Sequence, residues 1–292
     1  MSPPEPSTTL CGRPVATDRA LVMAIVNRTP DSFYDGGSTF TDDAAMARID
    51  TVIAEGADIV DIGGVKAGPG EEVDAAAETE RVVPMIAWIR QRHPEVLISV
   101  DTWRSEVAAA ACEAGADLIN DTWAGADPEL VAVAVDRGVG LVCSHTGGAV
   151  VRTRPHRVAY DDVVAEVAAE LTASAQRAAD AGVRRDGILI DPTHDFGKNT
   201  HHGLALLRRL DCLVDTGWPV LMALSNKDFI GETLGVALHE RVAGTLAATA
   251  LAAAAGARVF RVHEVADTRR VLDMVASIVG TRPPARTVRG LA

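Results

Sequence analysis

The chain has 292 residues, of which 48% are hydrophobic, and its formal net charge at pH 7 is −12. This acidic balance argues against nonspecific nucleic-acid binding, and no apolar run reaches the ~18 residues typical of a membrane span. No apolar signal-peptide run lies near the start, and the four cysteines are scattered without a CxxC spacing, so we expect a cytoplasmic protein with reduced thiols.

Eight short apolar runs recur along the chain, and a polar residue ends each of them. Segments with helical spacing separate the runs. Because parallel strands need a helical crossover, this alternation predicts an α/β protein, a single-domain (β/α)8 TIM barrel whose strand ends converge on one mouth. An open doubly wound sheet is the second choice, but no GxGxxG follows the first run. The residues that end the runs are Asn27, Asp61, Asp101, Asn120, His145, Asp191, Ser225 and His263.

Glycines mark the predicted helix ends, because glycine accepts the left-handed conformation that closes a helix. Two helices are clear in detail. Asp127-Pro128 introduces Glu129–Arg137, and a stripe of apolar side chains runs along Asp161–Ala181. The helix-ending glycines are Gly56, Gly115, Gly138, Gly182 and Gly256.

Composition also sets the domain boundaries. The ends are Pro-rich or polar, so we expect a mobile N-terminal tail over residues 1–17 and a C-terminal tail over residues 282–292, with the barrel at residues 18–281 between them. The Ala-rich segment Val242–Ala257 is too short to span a membrane and is interpreted as a buried helix.

Two loops and three strand ends carry groups suited to a ligand. The loop that begins at Asn27 reads NRTPDSFYDGG, and the glycine-rich loop that begins at Asp61 reads DIGGVKAGPG. Backbone amides in such loops can approach an anion, although a simple turn explains Asn27 equally well. Asp101, Asn120 and Asp191 could read the donor edge of a flat heterocycle or cap the next helix, and the three together favour a ligand.

Cationic residues follow the last two runs. Lys227 lies just after Ser225, whereas Arg261 and His263 alternate along the last strand and therefore face the same way. They would suit a phosphate or carboxylate, and the alternative is a salt bridge inside the barrel. Three further histidines are interpreted as solvated surface rather than a metal site, because adjacent side chains on a helix point apart; these are His194, His201 and His202.

These motifs, in this order, resemble the dihydropteroate synthase family of pterin-binding barrels from about Leu21 to Val279. NRTPDSFYDGG is similar to N-V-T-P-D-S-F-S-D-G-G, which is a highly specific signature. DPTHDFGK resembles D-P-G-F-G-F-G-K, LSNKDFIG resembles L-S-R-K-S-F-I-G, and RVHEV resembles R-V-H-D-V.

The resemblance implies a reaction and a set of site residues. The family joins 6-hydroxymethyl-7,8-dihydropterin diphosphate to p-aminobenzoate in folate synthesis, releasing diphosphate. It also implies a homodimer formed through late helices, and an Mg²⁺ ion bound with the help of the Asn27 amide oxygen. By resemblance, the pterin would contact Asp101, Asn120, Asp191 and Lys227; the diphosphate would contact Arg261 and His263; and p-aminobenzoate would lie beside Pro69, Phe196, Ser225 and Lys227.

The chain departs from the family pattern in the loops. The Thr and Arg of the family's second loop are Ala67 and Gly68, and the Arg between Ser and Lys in the seventh loop is Asn226. A well-placed electrostatic donor can contribute ~10²–10³ in rate, so these losses predict impaired catalysis. The other departures are Arg28 and Tyr34 in the first loop, Ser144-His145-Thr146 after the fifth run, and Thr193-His194-Asp195 in the sixth loop.

Three functions stay open on the sequence alone. The first is a divergent paralogue that keeps affinity for pterin or an aryl amine, with weak or absent synthase activity. The second is a fully active dihydropteroate synthase with unusual loops. The third is an altered-specificity or regulatory binder of a pterin or phosphate ligand, in which Arg28, His194 and Asp195 make new contacts.

Overall fold

The computed structural model describes residues 8–29, 39, 41–153 and 159–289. Most of the first loop, including the Tyr34 position, lies outside the described residues. Within the described part, an eight-stranded parallel sheet and surrounding helices form a single (β/α)8 barrel, which confirms the predicted fold. The strands are β1 (Thr9–Leu10), β2 (Arg13–Pro14), β3 (Leu21–Asn27), β4 (Ile59–Gly63), β5 (Leu97–Asp101), β6 (Leu118–Asp121), β7 (Gly140–Ser144), β8 (Ile188–Asp191), β9 (Leu221–Met222) and β10 (Val259–Val262).

The barrel closes between its two end strands. The sheet order is β8-β7-β6-β5-β4-β3-β10-β9. A parallel bridge joins Ile190 to Val220, and the Ile190 amide donates to the carbonyl oxygen of Pro219 at 3.0 Å. Because the strands form a ring, their carboxyl ends surround one opening.

The helices lie between successive strands, as the alternation predicts. The predicted helix ends are confirmed, because the five glycines have φ between +66° and +115°. The helices of the described residues are α1 (Asp42–Ala54), α2 (Ala75–Arg92), α3 (Ser105–Glu113), α4 (Leu130–Arg137), α5 (Val163–Ala181), α6 (Thr200–Arg208), α7 (Asp211–Val214), α8 (Asp228–Leu234), α9 (Val242–Ala254) and α10 (Val265–Val279).

Two helix starts differ from the sequence prediction by small shifts. Helix α4 begins one residue late, because the Asp127 carboxylate accepts the amides of Ser105 and Glu129 instead of capping the helix. Helix α5 begins at Val163, and the Asp162 carboxylate accepts the amides of Val164 and Ala165 as its N-cap.

Alternation along each strand separates two apolar cores. Outward side chains pack under the helices, and inward side chains such as Leu21, Ile59 and Leu97 fill the amino-terminal half of the barrel. Two residues further along two of these strands, the inward positions are the buried polar residues Asp61 and Ser99. The barrel interior therefore changes from apolar to polar toward its carboxyl-terminal mouth.

A short hairpin covers the amino-terminal end of the barrel. Strands β1 and β2 pair antiparallel, and Leu10, only 5% exposed, packs against the inner apolar core. The Thr9 hydroxyl donates to Asp186 at 2.7 Å, and Arg13 pairs with Asp117 at 2.7 Å. Thr9–Pro14 is therefore folded onto the barrel, which differs from the tail expected over residues 1–17.

Helix α9 is less buried than the sequence suggests. The segment Val242–Ala257 was expected to be a buried helix, yet Leu251 on α9 is 73% exposed. On the adjacent α10, Met274 and Ile278 are 60% and 70% exposed. No described helix is both long and apolar enough to cross a membrane.

Candidate functional site

A cavity of about 410 Å³ opens at the carboxyl-terminal mouth of the barrel. Residues from strands β3, β5, β8 and β10 and from several loops line it, because all strand ends meet there. Nine of the ten site residues expected from the sequence line this one cavity: Asn27, Pro69, Asp101, Asp191, Phe196, Ser225, Lys227, Arg261 and His263. Their individual roles stay predictions.

The tenth residue, Asn120, lies behind the lining. Its side chain is fully buried, and its amide Nδ2 donates to Asp61 Oδ2 at 3.3 Å. Asp61 ended a predicted strand but was absent from the predicted site. Among the described residues, no donor reaches the buried Asp61 Oδ1 or Asn120 Oδ1. Buried acceptors without a donor cost about 1–3 kcal/mol each, so this wall of the site favours a ligand rich in N–H groups.

Arg261 links two strand-end carboxylates. Its Nε lies 2.7 Å from Asp61 Oδ2, and its Nη2 lies 2.6 Å from Asp101 Oδ2. The salt bridge inside the barrel, left open as an alternative by the sequence, is therefore present. Burial opposes the charge on Arg261, but the two carboxylates together raise its pKa above the usual value. Burial also raises the pKa of Asp101 to about 7, while Arg261 lowers it and Asp61 raises it further.

Asp191 is held at the end of β8 by the chain that follows it. Its Oδ1 accepts the Thr193 amide at 2.7 Å, and burial raises its pKa while Lys227 opposes the rise. Thr193 has φ of +47°, in the left-handed region that favours glycine. Glycine occupies this position in the family pattern, so the Thr here adds backbone strain.

Lys198 braces the sixth loop from outside the predicted set of site residues. Its Nζ donates to the carbonyl oxygens of His145, Thr193 and Phe196 at 2.9, 3.2 and 3.0 Å. Phe196 lines the cavity, and its ring lies edge-on to Trp123 with centroids 4.6 Å apart. Lys198 is the last residue of the DPTHDFGK motif, and that match is the sequence signal that could have identified it.

The new carboxylate of the sixth loop faces the cavity. Asp195 lines the cavity, and its Oδ2 lies 3.1 Å from Lys227 Nζ. Burial raises the pKa of Asp195, and the ammonium of Lys227 opposes that rise. Lys227, expected to hold the pterin, is thus paired with an acid that the family pattern lacks.

Asn226 does not replace the cationic group of the family's seventh loop. Its side chain is fully buried, and Nδ2 donates to Glu264 Oε1 at 3.0 Å. Ser225 Oγ donates to Glu264 Oε2 at 3.2 Å and lies 2.9 Å from His263 Nδ1. Glu264 therefore joins the seventh and eighth strand ends, and the Asn226 side chain supplies no positive charge at the position where the family pattern has arginine.

Two of the expected new ligand contacts are absent from the cavity lining. Arg28 is 6% exposed and points toward α1 and α2, where it donates to the carbonyl oxygens of Thr39 and Arg81 and pairs with Asp42. His194 is buried against the Phe229 ring, with centroids 5.4 Å apart. The interpretation of His194 as solvated surface was wrong, and burial holds its pKa well below the ordinary value.

The second loop lines the cavity through Lys66, Ala67, Gly68 and Pro69. An arginine from another loop lies beside the position where the family pattern has arginine: Arg152 Nε donates to the Gly68 carbonyl oxygen at 3.4 Å. Arg152 is outside the described lining of the cavity, whereas the next residue, Thr153, belongs to it. Arg152 therefore contacts the backbone of the second loop and does not supply a guanidinium to the site.

Comparison with known proteins gives consistent matches along the chain. The model of a family described as pterin binding enzyme matches residues 23–263. A protein of Mycobacterium leprae (strain TN) named inactive dihydropteroate synthase 2 is 68% identical over 97% of this chain and 99% of that protein. A dihydropteroate synthase of Streptococcus pyogenes is 40% identical over 92% of this chain and 99% of that enzyme. The structure of Xanthomonas albilineans dihydropteroate synthase with 4-aminobenzoic acid has a TM-score of 0.83 and 42% identity, covering 92% of this chain and 96% of that chain.

These matches confirm the resemblance inferred from the motifs. The family model spans residues 23–263, from the first barrel strand to the end of the last, so the substitutions in the loops are changes on a shared scaffold. The relative at 68% identity is named inactive, which agrees with the divergent paralogue expected from Ala67, Gly68 and Asn226. The chain belongs to the pterin-binding enzyme family, as a homologue of the dihydropteroate synthases.

Proposed function

We propose that this protein binds a pterin in the barrel mouth and has weak or no dihydropteroate synthase activity. One observation supports the proposal above all. The residues expected to contact the pterin lie together, while no described arginine takes the place of the two that are missing from the loops. Asp101, Asp191 and Arg261 line one cavity with Lys227. Gly68 and Asn226 stand at the two positions where the family pattern has arginine.

The pterin would bind against the carboxylate and amide wall. Pterins present several N–H donors on one edge, and Asp61, Asn120 and Asp191 offer buried acceptors. A buried acceptor that gains a donor no longer carries its desolvation penalty. This wall supports retention of pterin affinity even where turnover is lost.

The leaving diphosphate would meet Arg261 and His263. Arg261 is already engaged by Asp61 and Asp101, so an incoming diphosphate competes with two carboxylates for one guanidinium. The lost loop arginine would otherwise have added a second bidentate donor. Weak stabilisation of the leaving anion is therefore expected, and each missing donor costs ~10²–10³ in rate.

The residues around Asn27 fit the Mg²⁺ ion implied by the family resemblance. A Cβ built on Gly63 would lie 3.3 Å from Asn27 Oδ1 and 3.8 Å from Asp101 Oδ2, so two oxygen atoms border the small space that glycine leaves. Asp101 Oδ2 already accepts from Arg261 Nη2 at 2.6 Å, so the Asn27 amide oxygen would be the donor to the ion. An amide oxygen suits a hard cation that keeps several waters. Bound there, Mg²⁺ would help neutralise the charge of the diphosphate.

The test separates binding from turnover. Calorimetry with 6-hydroxymethyl-7,8-dihydropterin diphosphate, with and without Mg²⁺, should give measurable binding that Asp191→Asn weakens. The exposed Asp180→Asn on α5 is the matched control and should bind as the wild type does. With p-aminobenzoate added, turnover should be at least ~10²-fold below that of an active family member. A turnover equal to the active enzyme would overturn the proposal in favour of a working synthase, and absence of pterin binding would overturn it entirely.

We further propose that two copies of the chain pair through α9 and α10. The exposed apolar side chains Leu251, Met274 and Ile278 lie on these two adjacent helices. Single exposed apolar residues are ordinary, but here Met274 and Ile278 lie one turn apart on α10, and Leu251 is on the helix packed against it, as is typical of an interface. The resemblance to the family, which implies a homodimer through late helices, supports the same surface.

A further inference from the structure

The part of the cavity expected to take the aryl amine differs in charge from the family pattern. Asp195 stands where the pattern has glycine, and Asn226 and Gly68 stand where it has arginine. Each substitution makes the site more negative by one unit, and all three residues line the same cavity. The change is therefore concentrated in one cavity and is not spread over the surface.

The cation nearest to Asp195 is neutralised by it. Lys227 Nζ lies 3.1 Å from Asp195 Oδ2, and the Lys227 side chain is only 13% exposed. The Asp195 side chain is 38% exposed, so one face of its carboxylate is open to a ligand. Asp228 lines the cavity as well, with its carboxylate paired to Arg241 at 2.8 Å.

An aryl carboxylate is a poor fit to this arrangement. To meet Lys227 it would have to displace Asp195 and then lie beside it, and like charges at such separations repel strongly where water is partly excluded. An uncharged amide of the same shape meets no repulsion. Its N–H groups can donate to the exposed face of Asp195, and its oxygen can accept from Lys227.

We propose that Asp195 sets the specificity of this half of the site, which takes an aromatic amine bearing an uncharged hydrogen-bonding group and excludes aryl carboxylates. The inference rests on the proposed pterin-site function and names its second ligand class. In this arrangement Asp195 contacts the substituent of the aromatic amine, and Lys227 interacts with both Asp195 and that substituent.

The test uses two probes that differ in charge but hardly in shape, 4-aminobenzamide and 4-aminobenzoate. Each is titrated calorimetrically into the full-length protein saturated with 6-hydroxymethylpterin. The amide should bind about tenfold or more tightly than the carboxylate. In Asp195→Gly the preference should shrink to about threefold or less, or reverse, because Lys227 becomes available to the carboxylate. Asp195→Asn keeps the size of the side chain and should shift the ratio in the same direction.

A second variant controls for the loss of a negative charge elsewhere in the protein. Asp180→Asn removes one negative charge far from the cavity and should leave the ratio of the two affinities unchanged. Equal or tighter binding of the carboxylate by the wild type, no binding of either amine, or an unchanged ratio in both Asp195 variants would each overturn this specificity. Failure of the protein to bind 6-hydroxymethylpterin, seen before either amine is added, would instead count against the proposed function.

Discussion

At the scale of single residues, the centre of the site is a guanidinium shared by two acids. Arg261 bridges Asp61 and Asp101, so one positive charge faces two negative charges inside the barrel. Burial makes the second negative charge unfavourable, and the pKa of Asp101 rises to about 7. The ligand-free protein therefore holds a proton here under mildly acidic conditions.

This proton makes stability depend on pH. Between the ordinary pKa of 3.8 and the folded-state pKa of about 7, the folded protein binds a proton that the unfolded chain has released. The contribution of Asp101 to the free energy of unfolding is thus present at low pH and falls as the pH rises through this window. Relative to Asp101→Asn, the wild type should lose about 1–3 kcal/mol between about pH 5 and about pH 8 in urea unfolding.

The same experiment contains its own control. Asp180→Asn changes an exposed carboxylate on α5 and should follow the wild-type pH dependence. If the free energies of unfolding of Asp101→Asn and the wild type differ by a constant amount at all pH values, Asp101 does not take up the proton.

Among the loops and the elements that hold them, the departures from the family pattern divide into two kinds. Ala67 and Gly68 remove groups from the cavity, whereas Arg28 adds contacts outside it. The second loop is also held from outside, because Arg81 donates to the Gly64 carbonyl oxygen at 2.8 Å and Arg152 donates to that of Gly68. The loop is thus supported by its neighbours but lacks the Thr and Arg side chains of the family pattern.

Restoring those side chains tests whether their loss lowers the synthase activity. The double variant Ala67→Thr with Gly68→Arg should raise synthase turnover by about 10-fold to 10³-fold, because a guanidinium again faces the leaving diphosphate. Initial rates with p-aminobenzoate and pterin diphosphate measure the effect, and Ala67→Thr alone is the control for loop shape. Turnover of the double variant no higher than that of the control would show that the loop is not the cause.

Removing the Arg28 guanidinium should destabilise the folded protein. Arg28→Met leaves two backbone acceptors, on Thr39 and Arg81, without their charged donor. We expect the free energy of unfolding to fall by about 1–3 kcal/mol. Arg270→Met removes an arginine whose side chain is 76% exposed, in an ion pair with Asp267, and should change stability by less than about 0.5 kcal/mol. If urea unfolding showed similar decreases in the free energy of unfolding for the two variants, Arg28 would have no special part in stabilising the fold.

For the whole molecule, the late helices are the surface through which we propose that two copies pair. The barrel needs no partner to close, because β8 and β9 are already bridged. Leu251 on α9 and Met274 and Ile278 on α10 are nevertheless exposed, and in the proposed dimer a second copy of the chain would bury them.

Introducing acidic residues on the exposed surface of α10 should dissociate the proposed dimer. We expect Met274→Glu with Ile278→Glu to convert a dimer to a monomer in sedimentation velocity, since an acid at the centre of an apolar interface is not paired. Val150→Glu changes an exposed apolar residue in a loop on another part of the barrel and should leave the dimer intact. A monomeric wild type, or a double variant that still dimerises, would contradict the proposed interface.

The sequence alone determined the barrel and the location of its site. Buried parallel strands need continuous apolar runs, helix ends need glycine, and a ring of strands brings their polar ends together. Those local requirements predicted all eight barrel strands, and nine of the ten site residues expected from the sequence line the mouth.

Only the tertiary structure decided how those side chains pair and which way the substituted residues point. The Asp195–Lys227 and Arg261–Asp61 pairs join residues far apart in the chain, and no local pattern specifies such a pair. The sequence treated Arg28 and His194 as candidate ligand contacts, but a side chain's direction depends on the neighbours it packs against. Residues 1–17 looked like a tail because the two short strands within them become stable only when Leu10 meets the core of the closed barrel.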